Sequence, residues 1–223
     1  MNFEENEIIT FQTSEADPFP KRAKRADAIA NRALILATAQ RLFAEKGIPN
    51  VCMASIAEAA QIGKGTLYRG FANKAELCLA LMDEDMQAFQ NKILQQLRAT
   101  AEQPALARLD AFLDSLAHFM DFHAPLLREV QLQGILQNDP QLGGVSPHMW
   151  LPWLRDTIRV LLHQAEQNGE SHNLDIPYLT DAILAPLNAN LFIYQREVLG
   201  FDLERISQGA RRLALRGCQG VAA

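Results

Sequence analysis

With 223 residues, 48% of them hydrophobic and 21% charged, the chain has the length and balance of a soluble globular protein of one large domain or two small ones. No apolar run reaches the roughly 18 residues of a spanning helix, Glu4, Glu5, Glu7, Glu15 and Asp17 leave no room for a secretory signal, and three cysteines without CxxC spacing argue against a disulfide framework or a zinc site. The net charge of −5 is unevenly spread: residues 21–75 hold ten Lys/Arg against Asp27, Glu45 and Glu58, which is +7, and the remainder carries −12.

Residues 1–25 are expected to form a disordered, basic N-terminal arm, acidic at first, broken by Asp17-Pro-Phe-Pro20, then basic at Lys21, Arg22, Lys24 and Arg25. Arg25 is a candidate contact to nucleic-acid phosphate or a minor groove, against the plainer reading of a solvated helix start. A first helix is predicted from Ala26 to Lys46, because Ile35, Leu36, Ala39, Leu42 and Phe43 recur with helical period. Gly47 follows it at the position that favours a left-handed residue. Two short helices come next, over Met53–Ala60 and Lys64–Tyr68. Ala57 is small enough for a close crossing, and Ile56, Ala60, Ile62, Leu67 and Phe71 supply the apolar contacts. Such a three-helix unit can place its last helix in a major groove.

That last helix carries the candidate chemistry. Gly65 and Thr66 permit close approach to base edges, Lys64 and Arg69 can donate to guanine or phosphate, and Tyr68 offers a ring and a hydroxyl. Asn73 reads as an N-cap with Glu76 at N3. Lys74 at N1 then stands where a phosphate is well served by free backbone N–H groups.

Beyond Asn73 the pattern is helical throughout. Stripes run from Met82 to Leu97 and from Leu106 to Met120. Further helices are predicted over 125–137, from a Ser146-Pro147 cap to Gln167, over Pro177–Leu199 with a kink at Pro186, and over Asp202–Leu215. The total is about nine helices and no strand. Phe119, Phe122, Trp150 and Trp153 can line an apolar cavity or simply fill the core. His118, His123 and His172 lack metal-ligand spacing, and no nucleophile–base set points to an enzyme. Cys52, at a helix start, is a candidate redox thiol or an inert one.

Residues 32–82 resemble the DNA-binding domain of the tetracycline-repressor (TetR) family of bacterial regulators. The resemblance is carried by Ile35-Leu-Ala-Thr-Ala-Gln-Arg-Leu-Phe-Ala-Glu-Lys-Gly47, Ile56-Ala-Glu-Ala-Ala60, Lys64-Gly-Thr-Leu-Tyr-Arg69, Phe71 and Asn73-Lys-Ala-Glu-Leu77. It implies an all-α fold: a helix-turn-helix DNA-binding domain over 26–75 and a helical regulatory and dimerisation domain over 76–223. It also implies a cytoplasmic, nucleoid-associated homodimer that binds double-stranded palindromic DNA as a repressor, is released by a small apolar or amphipathic ligand, and uses no cofactor or metal. An architectural DNA-binding protein of the same fold, without an effector, stays open. DNA contacts carry over to Lys64, Gly65, Thr66, Tyr68 and Lys74, with Arg69 beside them. Four departures stand out: Gln61 where the family often has glycine, Cys52 where it usually caps with Thr or Ser, Gly70 in place of Tyr or His, and no basic residue near Ala54.

Overall fold

A computed structural model describes residues 20–132 and 150–218, with backbone alone for 20–25, Glu84, Gln131 and Trp150. Among these residues there are ten α-helical segments and no strand. They are α1 (Pro20–Lys46), α2 (Met53–Ala59), α3 (Lys64–Gly70), α4 (Lys74–Ala99), α5 (Ala105–Phe122), α6 (Ala124–Leu132), α7 (Trp150–Gln167), α8 (Ile176–Leu184), α9 (Ala189–Ile193) and α10 (Leu203–Cys218).

Helix α1 begins six residues before the predicted start. Proline at the first helical position needs no N–H partner, and the Lys/Arg/Ala run after it favours helix, so Lys21–Arg25 continue α1 instead of forming a separate arm. The expected stripe is buried from Ile35 to Phe43, and Gly47 takes φ 77° after the last turn. Helix α2 ends in a closed C-terminal motif. The Gln61 N–H donates to Glu58 O (3.0 Å) and the Ile62 N–H to Ala57 O (3.0 Å), with Gln61 left-handed at φ 55°. The turn therefore sits on Gln61, and Gly63 is an ordinary extended N-cap for α3.

Asn73 caps α4 as predicted, its side chain accepting from the Glu76 N–H at 2.9 Å. The reciprocal bond is displaced by one residue, since Glu76 accepts from the N–H of Ala72 at 2.8 Å. Helix α5 has no cap of its own behind Pro104. The Glu170 carboxylate, from the turn after α7, accepts from the Ala105 and Leu106 N–H groups at 2.7 and 2.9 Å and closes that end.

The predicted helix over Pro177–Leu199 is cut in two, because Pro186 lacks an N–H and its ring crowds the preceding turn. A 3₁₀ turn occupies Ala185–Leu187, Asn188 caps α9 by accepting from the Asn190 N–H (3.0 Å), and a π-helical turn follows over Tyr194–Val198. Asp202 caps α10, accepting from the Arg205 N–H at 2.8 Å. The Ser146-Pro147 cap and the C-terminal part of the predicted 125–137 helix lie outside the described residues.

Two hydrophobic cores result. The first joins α1, α2, α3 and the start of α4, and includes Val130 of α6. The second is built from α4, α5, α7, α8, α9 and α10 around Phe112, Leu113, Leu116, Ile158 and Phe192, and includes Leu127 of α6. Helix α6 thus lies between the two cores. No described helix is long and apolar enough to cross a membrane, and no His/Cys/Asp/Glu group among the described residues could hold a metal ion.

Candidate nucleic-acid interface

Helix α3 is anchored by a single fully buried side chain, Leu67, and by Phe71 just beyond it. Their burial turns the rest of the helix outward: Lys64, Gly65, Tyr68, Arg69 and Gly70 are exposed and Thr66 is half-buried. Tyr68 is 50% exposed although it is a large aromatic residue. A Cβ at Gly65 would meet nothing within 4 Å. The protein's own packing therefore does not require glycine there, where it costs about 1 kcal/mol of helix propensity relative to alanine. Its lack of a side chain leaves room there for a surface from outside to approach closely.

Arg69 lies back along its own helix, with Nε donating to Gly65 O at 3.1 Å and Nη2 to Thr66 Oγ1 at 3.5 Å. Beside it, the N-terminal half of α1 and α3 form a groove lined by Asn31, Arg32, Thr66 and Arg69. The Arg32 guanidinium sits 4.5 Å from the centre of the Phe71 ring. Arg32 is thus a cation at this surface that the helix pattern alone did not single out, since only the fold brings Phe71 beneath it. The side chain of Arg25 lies outside the described residues.

Lys74 departs from expectation. It stands at N1 of α4, but its ammonium is turned into the protein. Nζ donates to Ile48 O (3.0 Å) and Val51 O (3.2 Å) and pairs with Glu129 Oε2 at 3.1 Å. The physical reason is local: the 3₁₀ turn over Ile48–Asn50 and the link to α2 leave carbonyls pointing at α4, and Lys74 is the donor within reach.

At the start of α2 the Ser55 hydroxyl makes up for the cysteine cap. It donates to Cys52 O at 2.8 Å and accepts from the Cys52 N–H at 3.3 Å. Hydrogen bonds from the Ser55 backbone, and then its side chain, lower the exposed Cys52 thiol below its ordinary range.

Of the residues expected to line a ligand cavity, Phe119 and Phe122 share an open surface groove with Phe89, Lys92 and His118. Phe119 is buried against Phe89, with ring centres 4.8 Å apart, and Trp153 packs edge-on against Phe89 and Phe112 at 6.2 and 6.0 Å. Both fill the core. Phe122 is 77% exposed, because it falls on the outer side of the last turn of α5. The Trp150 side chain lies outside the described residues.

Residues 35–81 match the model of the bacterial regulatory proteins of the tetR family. Over that segment the chain is similar to this family. Among curated proteins it is 45% identical over 65 residues to an HTH-type transcriptional regulator of Staphylococcus aureus strain bovine RF122 / ET3-1, and 43% identical over the same length to one from strain USA300. Each match takes in 29% of this chain and 35% of the relative, so the chain spans about a third of the length of the curated relatives it matches. Two solved structures extend the likeness in fold over most of the chain. The FadR repressor of Thermus thermophilus, in complex with lauroyl-CoA, has a TM-score of 0.66 at 20% identity, covering 86% of this chain and 97% of that one. The FadR of Bacillus subtilis, in complex with stearoyl-CoA, has a TM-score of 0.61 at 20% identity, covering 83% and 98%.

Proposed function

We propose that this protein is a DNA-binding transcriptional repressor of the tetR family. It acts as a homodimer on a palindromic site and is released by a small apolar or amphipathic ligand. The observation that carries the reading is the outward face of α3. It leaves Lys64, Gly65, Tyr68 and Arg69 unburied on a segment of +7 charge, with a glycine that the fold itself does not require. Thr66 adds a methyl and a hydroxyl at the same edge. The lysine at N1 of α4 is left out of the contact set. Its place near phosphate falls to the backbone N–H groups at the start of that helix and to Arg32 and the N-terminal half of α1.

Selection from a random duplex library by the full-length protein gives the test. The recovered duplexes should be palindromic. Tyr68→Ala should weaken binding by about 1–3 kcal/mol, and Lys64→Ala should flatten its salt dependence by about one unit. Undiminished binding in both variants would sink the reading. For the ligand, a long-chain acyl-CoA is a reasoned first probe, since two proteins of this fold were solved with lauroyl-CoA and stearoyl-CoA. It should raise the melting temperature and release the duplex. A duplex retained at every ligand tried would favour an architectural protein of the same fold, a reading supported by the close packing of Phe119 and Trp153.

A further inference from the structure

We infer that Lys74 is a positioning residue, which with Glu129 fixes how the DNA-reading unit sits on the rest of the molecule, and that it does not itself touch DNA. This rests on the DNA-binding reading above and deepens it.

An ammonium has three N–H bonds to place. In this structure three acceptors take them: Ile48 O at 3.0 Å, Val51 O at 3.2 Å and Glu129 Oε2 at 3.1 Å. The first two belong to the turn that leads into α2. The third is on α6, 55 residues further along the chain. The side chains of Lys74 and Glu129 are 13% and 9% exposed, so water is a poor substitute for either partner. Next to Glu129, Val130 is completely buried in the core of the reading unit. Helix α6 is therefore held to that unit twice, by an apolar contact and by a charge.

The consequence is mechanical. Met53 opens α2 two residues after Val51, and α2 supports α3. Moving α6 by an ångström or two would strip Lys74 of its carboxylate, and a buried charge that loses its partner is strongly disfavoured. The turn at Ile48–Val51, and α3 behind it, must then follow α6 or give up the contact. Any event in the larger core that shifts α6 is thereby felt at the DNA-reading helix. In a dimer, that shift changes the separation of the two readers.

The two roles of Lys74 predict opposite patterns. Full-length wild type, Glu129→Gln, Lys74→Met and the double variant are titrated, over a salt series, against a duplex that wild type has selected from a random library. For a positioning pair, each single variant binds roughly tenfold more weakly. The double variant is no worse than the weaker single one, and the slope of log affinity against log salt stays at the wild-type value. For a phosphate contact, Lys74→Met loses about one unit of slope and Glu129→Gln binds as well as wild type or better, and that pattern overturns the inference. Hydrogen exchange gives a readout free of DNA. In Glu129→Gln, amides of α2 and α3 should exchange faster while those of α5 and α7 keep wild-type rates. Unchanged exchange in α2 and α3 overturns the inference as well. If Lys74→Met fails to fold, Glu129→Gln alone decides by both measurements. If wild type selects no duplex, the DNA-binding reading is what has failed, and the exchange comparison still judges the pair.

Discussion

Gln61 holds a left-handed backbone, φ 55°, because the turn between α2 and α3 closes with two bonds that only this conformation allows. A side chain there costs on the order of 1 kcal/mol, so Gln61→Gly should stabilise the protein by up to about that amount. Chemical denaturation with an unchanged slope would register it, and a destabilised variant would show that the glutamine makes up the cost elsewhere. The cysteines differ as sharply. Burial, reinforced by the charge of Glu129, pushes the Cys78 thiol up to about 12, and burial also raises Cys218. Cys52 is exposed and lowered. Native protein at pH 7.5 should therefore take up one equivalent of iodoacetamide quickly, at Cys52, with peptide mass mapping as the check. Rapid labelling at Cys78 would mean that the first turns of α4 open easily.

At the scale of elements, α5 and α6 meet at His123, which is 2% exposed with Nδ1 unpartnered, its ring lying against Phe119 and Phe122. Burial holds the imidazole below its ordinary 6.5, and Asp85, 3.6 Å from Nε2, opposes this only in part. The unfolded chain then takes up this proton at a higher pH than the folded chain does. The contribution to stability is complete above 6.5 and is lost as pH falls through that value toward the lower folded one. Thermal melting from pH 7.5 to 5 should show a smaller decline in His123→Phe than in wild type, and parallel curves would count against it. This joint also marks how far the sequence reaches. The stripes on α1, α4 and α5 and the Asn73 cap depend on residues within a turn or two, and they were legible. The early start of α1 was hidden by treating Lys21–Arg25 as charge alone. The break at Asn188 was underestimated because a kink and a cut at Pro186 begin with the same missing N–H. Lys74 is a different case: the partners of its ammonium are 23, 26 and 55 residues away, a relation that no local pattern carries.

At the scale of the whole molecule, several exposed apolar side chains among the described residues gather near the C-terminal end of the chain. Leu191, Tyr194, Val198, Leu199 and Leu213 come from the last two helical stretches, and Val198 and Leu213 are 67% and 60% exposed. Their partners on the same helices, Leu187, Phe192, Ile206 and Ala210, are buried in the larger core, so each helix faces two ways. The inward side was recognisable from its period. The outward side repeats the same period, and periodicity alone cannot say whether an apolar face meets its own chain or another. Two readers on one palindrome need a fixed two-fold relation, and a stable interface of this kind buries on the order of 1,000 Å² or more. Val198→Asp combined with Leu213→Asp should therefore yield a monomer by analytical ultracentrifugation at micromolar concentration. Its helical circular dichroism should match wild type, since neither position supports the core. Affinity for the full palindrome should fall toward that for a single half-site, because a monomer gains nothing from the second half. A double variant that stays dimeric would place the pairing surface elsewhere, and a wild-type monomer under the same conditions would leave these side chains without a role.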